Sequence, residues 1–209
     1  RLSAVGVEPL RLDVTEPAEV EAAAARVAAL LGADAGEAGG GPAGLAGLVN
    51  NAGIPGAGPV ESAPFEVFES VMDVNFFGAL RVTRAFLPLL RPARGRIVMM
   101  SSLSGLVALP FLGPYAASKF ALEGLSDSLR RELLPEGLAV VLVEPGPIAT
   151  PIWDRVESID PGAYRGTPYH ERVRGMRESA LESGRAGLPP DRVVRAVDRA
   201  LTARRPPAR

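Results

Sequence analysis

The 209-residue chain has no cysteine and a single histidine, His170. The first absence excludes a disulfide frame and a thiolate metal site, and one imidazole cannot build a metal cluster by itself. A chain without cysteine also suits a reducing, cytoplasmic setting. Long apolar runs are missing too. The longest, such as Leu138 to Val143, fall far short of the roughly 20 residues that cross a bilayer, so no membrane span is expected. Charge of one sign is scarce: the formal net charge is -1 and no basic stripe exists, which excludes nucleic acid as a partner. What is present, 47% hydrophobic and 22% charged residues, suits one globular domain over residues 1–209 with a sizeable core.

Apolar periodicity gives the order of elements. Glu8 to Val14 alternates and reads as a short strand ending in an acid. Thr15 as N-cap and Pro17 in the first turn open an Ala-rich helix that ends by Gly32. The Gly-rich stretch from 36 to 44 reads as an enlarged surface loop. Leu45–Val49, Arg96–Met100 and Leu138–Val143 are apolar throughout and read as buried parallel strands. Between them, Pro64 to Pro88 predicts one or two long helices and Pro114 to Leu134 another. Residues 150–187 lack clean periodicity and read as a lid or substrate loop, and Pro189 to Ala203 as a final amphipathic helix. Strict alternation of strand and helix predicts an α/β fold with a doubly wound parallel sheet, three-layer and Rossmann-type. Ligands in such sheets bind beyond the carboxyl ends of the strands, here at Asp13, Asn50–Gly53, Ser101–Ser102 and Pro145–Thr150.

Tyr115 and Lys119 lie four apart on the helix after the Ser101–Ser102 strand end, so they share one face. A phenol with a pKa near ~10 is a poor base at neutral pH, and an ammonium beside it favours the phenolate. Lys119 is therefore expected to lower Tyr115. Ser102 could hold a substrate oxygen while Tyr115 gives or takes its proton.

The set Asn50-Asn51-Ala52-Gly53, Asn75, Ser102, Tyr115-Ala116-Ala117-Ser118-Lys119 and Pro145-Gly146-Pro147-Ile148-Ala149-Thr150 resembles the short-chain dehydrogenase/reductase family in order and spacing. That resemblance implies an NAD(P)-dependent oxidoreductase acting on a secondary alcohol or ketone, with either NAD or NADP as cofactor. It implies that Tyr115 is the acid/base, that Ser102 orients the carbonyl, with Ser101 the fallback, that Lys119 also bonds the nicotinamide ribose, and that Asn75 supports a water-linked proton relay. It places Asn51, Ala52 and Gly53 on the adenosine side, Asp13 and Val14 against adenine, and Pro145, Gly146, Ile148 and Thr150 near the nicotinamide. The family opens with a strand, a Gly-rich turn and a helix that takes the pyrophosphate, then a second strand. This sequence lacks that first β-α-β unit, and it stops where a last strand would start. The chain is accordingly read as part of a longer one.

Each reading has a plainer rival. Asp13 could be only a strand-end or capping acid, Asn50–Gly53 only a turn, and Asn75 an ordinary helical polar residue. Trp153 and Tyr164 could contact an apolar, steroid- or retinoid-like substrate, toward which Ile152, Ile159 and Leu181 also lean, or could be packing anchors. His170 and the run Arg172, Arg174, Arg177, Glu178 read as solvated surface. By family analogy the long helices would pair copies into a homodimer or homotetramer. The rival function is a catalytically silent nucleotide-sensing or protein-interaction module on the same fold.

Overall fold

Short runs of Val, Leu, Ile and Met, too short for stable helices, make the sheet: β1 (Gly47–Asn50), β2 (Arg96–Met100) and β3 (Ala139–Val143). All pairing is parallel in the order β1-β2-β3, with Val49 opposite Val98 and Val98 opposite Val141. The structure, a computed structural model, describes residues 6–38 and 44–209.

Pleating sends alternate side chains to opposite faces. Ile97, Met99, Val140 and Leu142 point to the side covered by α3 (Ala79–Leu90) and α4 (Gly113–Leu133), where they meet Leu90, Leu122 and Leu133. Val98, Met100 and Val141 point to the other side, against Ala200, Val193, Val197 and Leu201 of α7 (Asp191–Thr202). The result is the expected three-layer α/β arrangement. Each fully buried aliphatic side chain contributes about 1.5–3 kcal/mol. α4 starts with Pro114 in its first turn and gives way to a 3₁₀ turn, Leu134–Glu136, closed by Gly137 at φ 79°.

The apolar stretch from 64 to 88 forms one continuous rod with a wider turn in its middle. α2 (Phe65–Met72) passes into a π turn (Asp73–Gly78) and then into α3. π turns often mark functional positions, and this one contains Asn75.

Four expectations are corrected. Residues 8–14 form no ladder: no described strand lies beside them, and Leu12 and Val14 pack against the cluster of Val20, Val82 and Phe86, with Val14 O accepting from Arg81 at 3.4 Å. Thr15 is not the helix cap. Its amide and hydroxyl both donate to Asp13 Oδ1, at 2.9 and 2.7 Å, and α1 (Pro17–Ala38) begins two residues later. α1 also runs past Gly32, where the helix has open space around it, so residues 36–38 are helical and only 39–44 of the expected loop remain, of which 39–43 lie outside the described residues. At the other end, where the sequence was expected to stop short of a last strand, Leu142 N–H donates to Ala208 O at 3.0 Å, so the final residues run beside β3.

The lid is helical. α5 (Ile152–Glu157), a 3₁₀ turn (Pro161–Tyr164) and α6 (His170–Arg185) fill most of residues 150–187. Periodicity missed them because they are short or strongly charged and bury few side chains, chiefly Val156, Tyr164 and Val173.

Candidate active site

The carboxyl ends of β1 and β2, the π turn and the first two turns of α4 converge on one cluster. Asn75 is 1% exposed, and its amide is used in three directions. Oδ1 accepts Ile54 N–H at 2.8 Å, while Nδ2 donates to Ile54 O and to Ser118 Oγ, both at 3.0 Å. Ser118 in turn donates to Tyr115 O at 2.7 Å. The turn after β1 is thereby tied to the backbone of the residue expected to do the chemistry. Ser118 was missed in the sequence; its signal was a small polar residue one before Lys119 on a helix that had to pack closely.

Lys119 is 5% exposed and donates from Nζ to Met100 O at 2.7 Å, at the end of β2. Its Nζ lies 5.6 Å from the centre of the Tyr115 ring and beside Gly53, where a Cβ would sit 3.8 Å from Nζ and 3.4 Å from Asn75 Oδ1. Asn51, Ala52 and Gly53 are exposed, presenting backbone at the rim of the cluster. Ser102 is half-buried in an extended conformation, with its hydroxyl accepting Ser104 N–H at 3.1 Å and facing Pro145 O at 3.5 Å. Ser101 is buried instead, its hydroxyl without a partner among the described residues. Of the two serines, only Ser102 borders open space.

The expected lowering of Tyr115 is absent in this arrangement. Burial pushes the phenol up, and only the Ser102 hydroxyl pulls it back, because the Lys119 ammonium is turned to the Met100 carbonyl. Lys119 itself is lowered to about 8 by burial, against the opposing charge of Glu123. The two groups are thus moved apart, the lysine down and the tyrosine up, so the lysine loses its proton before the phenol does.

The other predicted positions lie around this centre. Pro145 and Gly146 back onto the turn after Ser102, through Leu103 N–H to Pro145 O at 3.0 Å and the Leu103 side chain against Gly146. Ile148 bridges to Leu188, and Ile148 O accepts the Trp153 Nε1 proton at 2.7 Å. Thr150 is half-buried at the start of the lid. Val14 packs on Gly78 at the end of the π turn, and Asp13 is exposed with its carboxyl held below the usual range by the Thr15 amide and hydroxyl. Asp13 thus closes a local turn on Thr15 ahead of α1. Trp153 and Tyr164 are packing anchors: Trp153 lies on Gly184, where a Cβ would be 2.5 Å from the ring, and Tyr164 is buried beside Gly58. A further lid contact was invisible in the sequence. Tyr169 hydrogen-bonds Glu61, and its ring meets Phe111, a bulky residue at φ 67°, at 6.2 Å between centroids.

Residues 2–160 match the family described as short chain dehydrogenase. The chain belongs to that family. It is 38% identical over 174 residues to an NADPH-dependent 3-dehydrocapnine reductase of Ornithobacterium rhinotracheale, covering 81% of this chain and 61% of that one. It is 40% identical over 179 residues to the mitochondrial D-beta-hydroxybutyrate dehydrogenase of Bos taurus, covering 78% and 51%. Among solved structures, a short-chain dehydrogenase from Streptomyces avermitilis superposes with a TM-score of 0.77 at 28% identity, covering all of this chain and 71% of that one. The chain therefore spans roughly half to three fifths of the curated relatives' length. Among the described residues no helix is long and apolar enough to cross a membrane, and no cluster of three metal-binding side chains occurs.

Proposed function

We propose that this chain is the greater part of an NAD(P)-dependent oxidoreductase that interconverts a secondary alcohol and a ketone, with Tyr115 as general acid/base. The convergence of Tyr115, Ser102, Lys119 and Asn75 at the sheet's carboxyl edge carries this reading. Ser102, the exposed-side serine, hydrogen-bonds the substrate oxygen. In the reducing direction Tyr115 donates its proton to that oxygen; in the oxidising direction it removes it. A phenol raised by burial holds its proton well, which suits the donor role, and Lys119 retains two N–H donors after its bond to Met100 O with which to steady the phenolate or bond a ribose hydroxyl. Asn75 fixes the frame, with one Oδ1 lone pair left for a relay water.

The residues suit the nicotinamide half of the cofactor: Lys119, with two free N–H donors, would bond its ribose beside Tyr115, and Pro145, Gly146, Ile148 and Thr150 would meet its carboxamide end. When bound, the nicotinamide supplies or accepts the hydride. No glycine-rich turn opening a helix after a strand occurs among the described residues, so the pyrophosphate has no evident holder in them. Asn51, Ala52 and Gly53 would line the adenosine side, and Asp13 and Val14 are proposed for adenine. The relative named for NADPH supports that form without deciding between the two.

The substrate is proposed to be apolar, steroid- or retinoid-like. Leu103, Leu106, Val107 and Leu109, directly after Ser102, are all about half exposed or more and form a greasy rim. Exposed Phe65, Phe77 and Phe120 on the long helices support pairing of copies into a homodimer or homotetramer, and the lack of cysteine supports a cytoplasmic location.

The test is nicotinamide absorbance at the two cofactors with apolar ketones and alcohols, on the protein in its full reading frame. Tyr115→Phe is expected to lower turnover by about 10²- to 10⁴-fold while cofactor still binds. Unchanged turnover in that variant would remove the mechanism, and cofactor binding without turnover across the panel would favour the silent sensor.

A further inference from the structure

Glu123 lies four residues beyond Lys119, on the same face of α4 and one turn along. It is 7% exposed, and its Oε1 has no hydrogen-bond partner among the described residues. The 3₁₀ turn after Ser102 seals it in: a Cβ on Gly105 would come within 3.1 Å of Glu123 Cγ, 2.8 Å of Ser101 Oγ and 3.2 Å of Lys119 O. A buried ammonium whose only bond is to a neutral carbonyl is unstable without a counter-charge. We propose that Glu123 is a positioning residue that keeps Lys119 charged, through its buried carboxylate one helical turn away. The inference rests on reading Lys119 as the charge beside Tyr115.

The surrounding groups leave this work to Glu123. From α4 itself come Tyr115, a neutral phenol, and Asp127, which is engaged by Arg130 at 2.8 Å and by Arg209 at 3.1 Å. From the end of β3 comes Glu144, bound by Arg209 Nε at 2.9 Å, and burial and the neighbouring Glu123 raise its carboxyl. From the final segment comes Arg209 itself, whose Nη2 reaches Glu123 Oε2 at 3.3 Å and works against the carboxylate's effect on the lysine. From β2 and the π turn come only neutral groups, the Ser101 hydroxyl and the Asn75 amide. Glu123 is the one carboxylate on the lysine's own face of the helix, and the enclosure by Gly105 keeps its field from being screened by water.

Lys119 is the only lysine in the chain, so a protein labelled with ¹³C,¹⁵N-lysine gives one side-chain signal whose titration reads this group alone. No cofactor or turnover is needed, so the outcome is independent of whether the oxidoreductase reading stands. The wild-type midpoint is expected near about 8. Glu123→Gln should lower it by about one unit, a tenfold change in the ionisation constant. Arg209→Ala, which leaves Glu123 in place and removes its partner cation, should raise it. A midpoint unmoved in folded Glu123→Gln overturns the proposal. If that variant does not fold, Arg209→Ala decides: a rise supports the role, and a midpoint that stays or falls refutes it.

Discussion

The sheet body and the lid are built on different terms. Around β2 every side chain from Ile97 to Met100 is 8% exposed or less, and the helices on both faces are held by contiguous apolar packing. The lid, residues 150–187, hangs on a handful of particular contacts: Trp153 on Gly184 and Ile148 O, Tyr169 on Glu61 and Phe111, and Arg177 donating to Glu157 O at 2.6 and 3.1 Å. Its neck is two backbone bonds, Leu188 N–H to Pro147 O and Ala149 N–H to Leu188 O, both 3.0 Å. The candidate site sits on the first region, while the second can vary at little cost to the first.

Three variants break or sharpen this contrast. Leu142→Ala, at 1% exposure in the middle of β3, is expected to cost about 2–5 kcal/mol in urea unfolding and to weaken body and lid together. A loss confined to the lid would show that the two regions are not ordered in this way.

Lys119→Met tests whether the body carries an expense for its site. A lysine lowered from 10.5 to about 8 on folding penalises the folded state wherever it stays charged there. The penalty is full below about pH 8, shrinks as pH rises because the unfolded chain still binds the proton, and is gone above 10.5. The variant should therefore be more stable than wild type near pH 7 by about 1–3 kcal/mol, with the gap closing by pH 10. Urea midpoints at the two pH values check this, and a gap that widens with pH would contradict it.

Gly184→Val has the smallest and most local effect. Its Cβ would enter the Trp153 ring, so α5 and α6 must separate at about 1–3 kcal/mol. Amide exchange should quicken in residues 150–187 and stay unchanged in β1 to β3.

The body was also the legible part of the sequence. The strands at 96–100 and near 45–49 and 138–143 emerged within two residues of their expected bounds, because buried parallel strands leave unbroken apolar runs. The lid did not, since helices that bury one or two side chains each leave little pattern to read. Residues 8–14 failed for another reason: alternation states which side chains seek a core, but a strand also needs a neighbour to bond. At the site, Asn75, Ser102, Tyr115 and Lys119 were found from residue type and order. The direction of the Tyr115 shift was not, because it depends on where Lys119 Nζ points, and that is decided by the Met100 carbonyl. Glu123 was within reach, as a carboxyl one turn past the lysine, yet its burial could not be seen from spacing.

The π turn at Asp73–Gly78 has one more consequence. Such a turn holds one residue more than an α-helical turn, so it widens the rod there. α2 faces the body with Val71 and α3 with Ala79, Val82, Phe86 and Leu90, and the π turn between them carries Asn75 inward. Deleting one residue there would let the rod run on as uninterrupted α-helix, with α2 and α3 close to their present register, and would remove the wider turn that carries Asn75 inward. The segment should therefore tolerate substitution far better than any change of length.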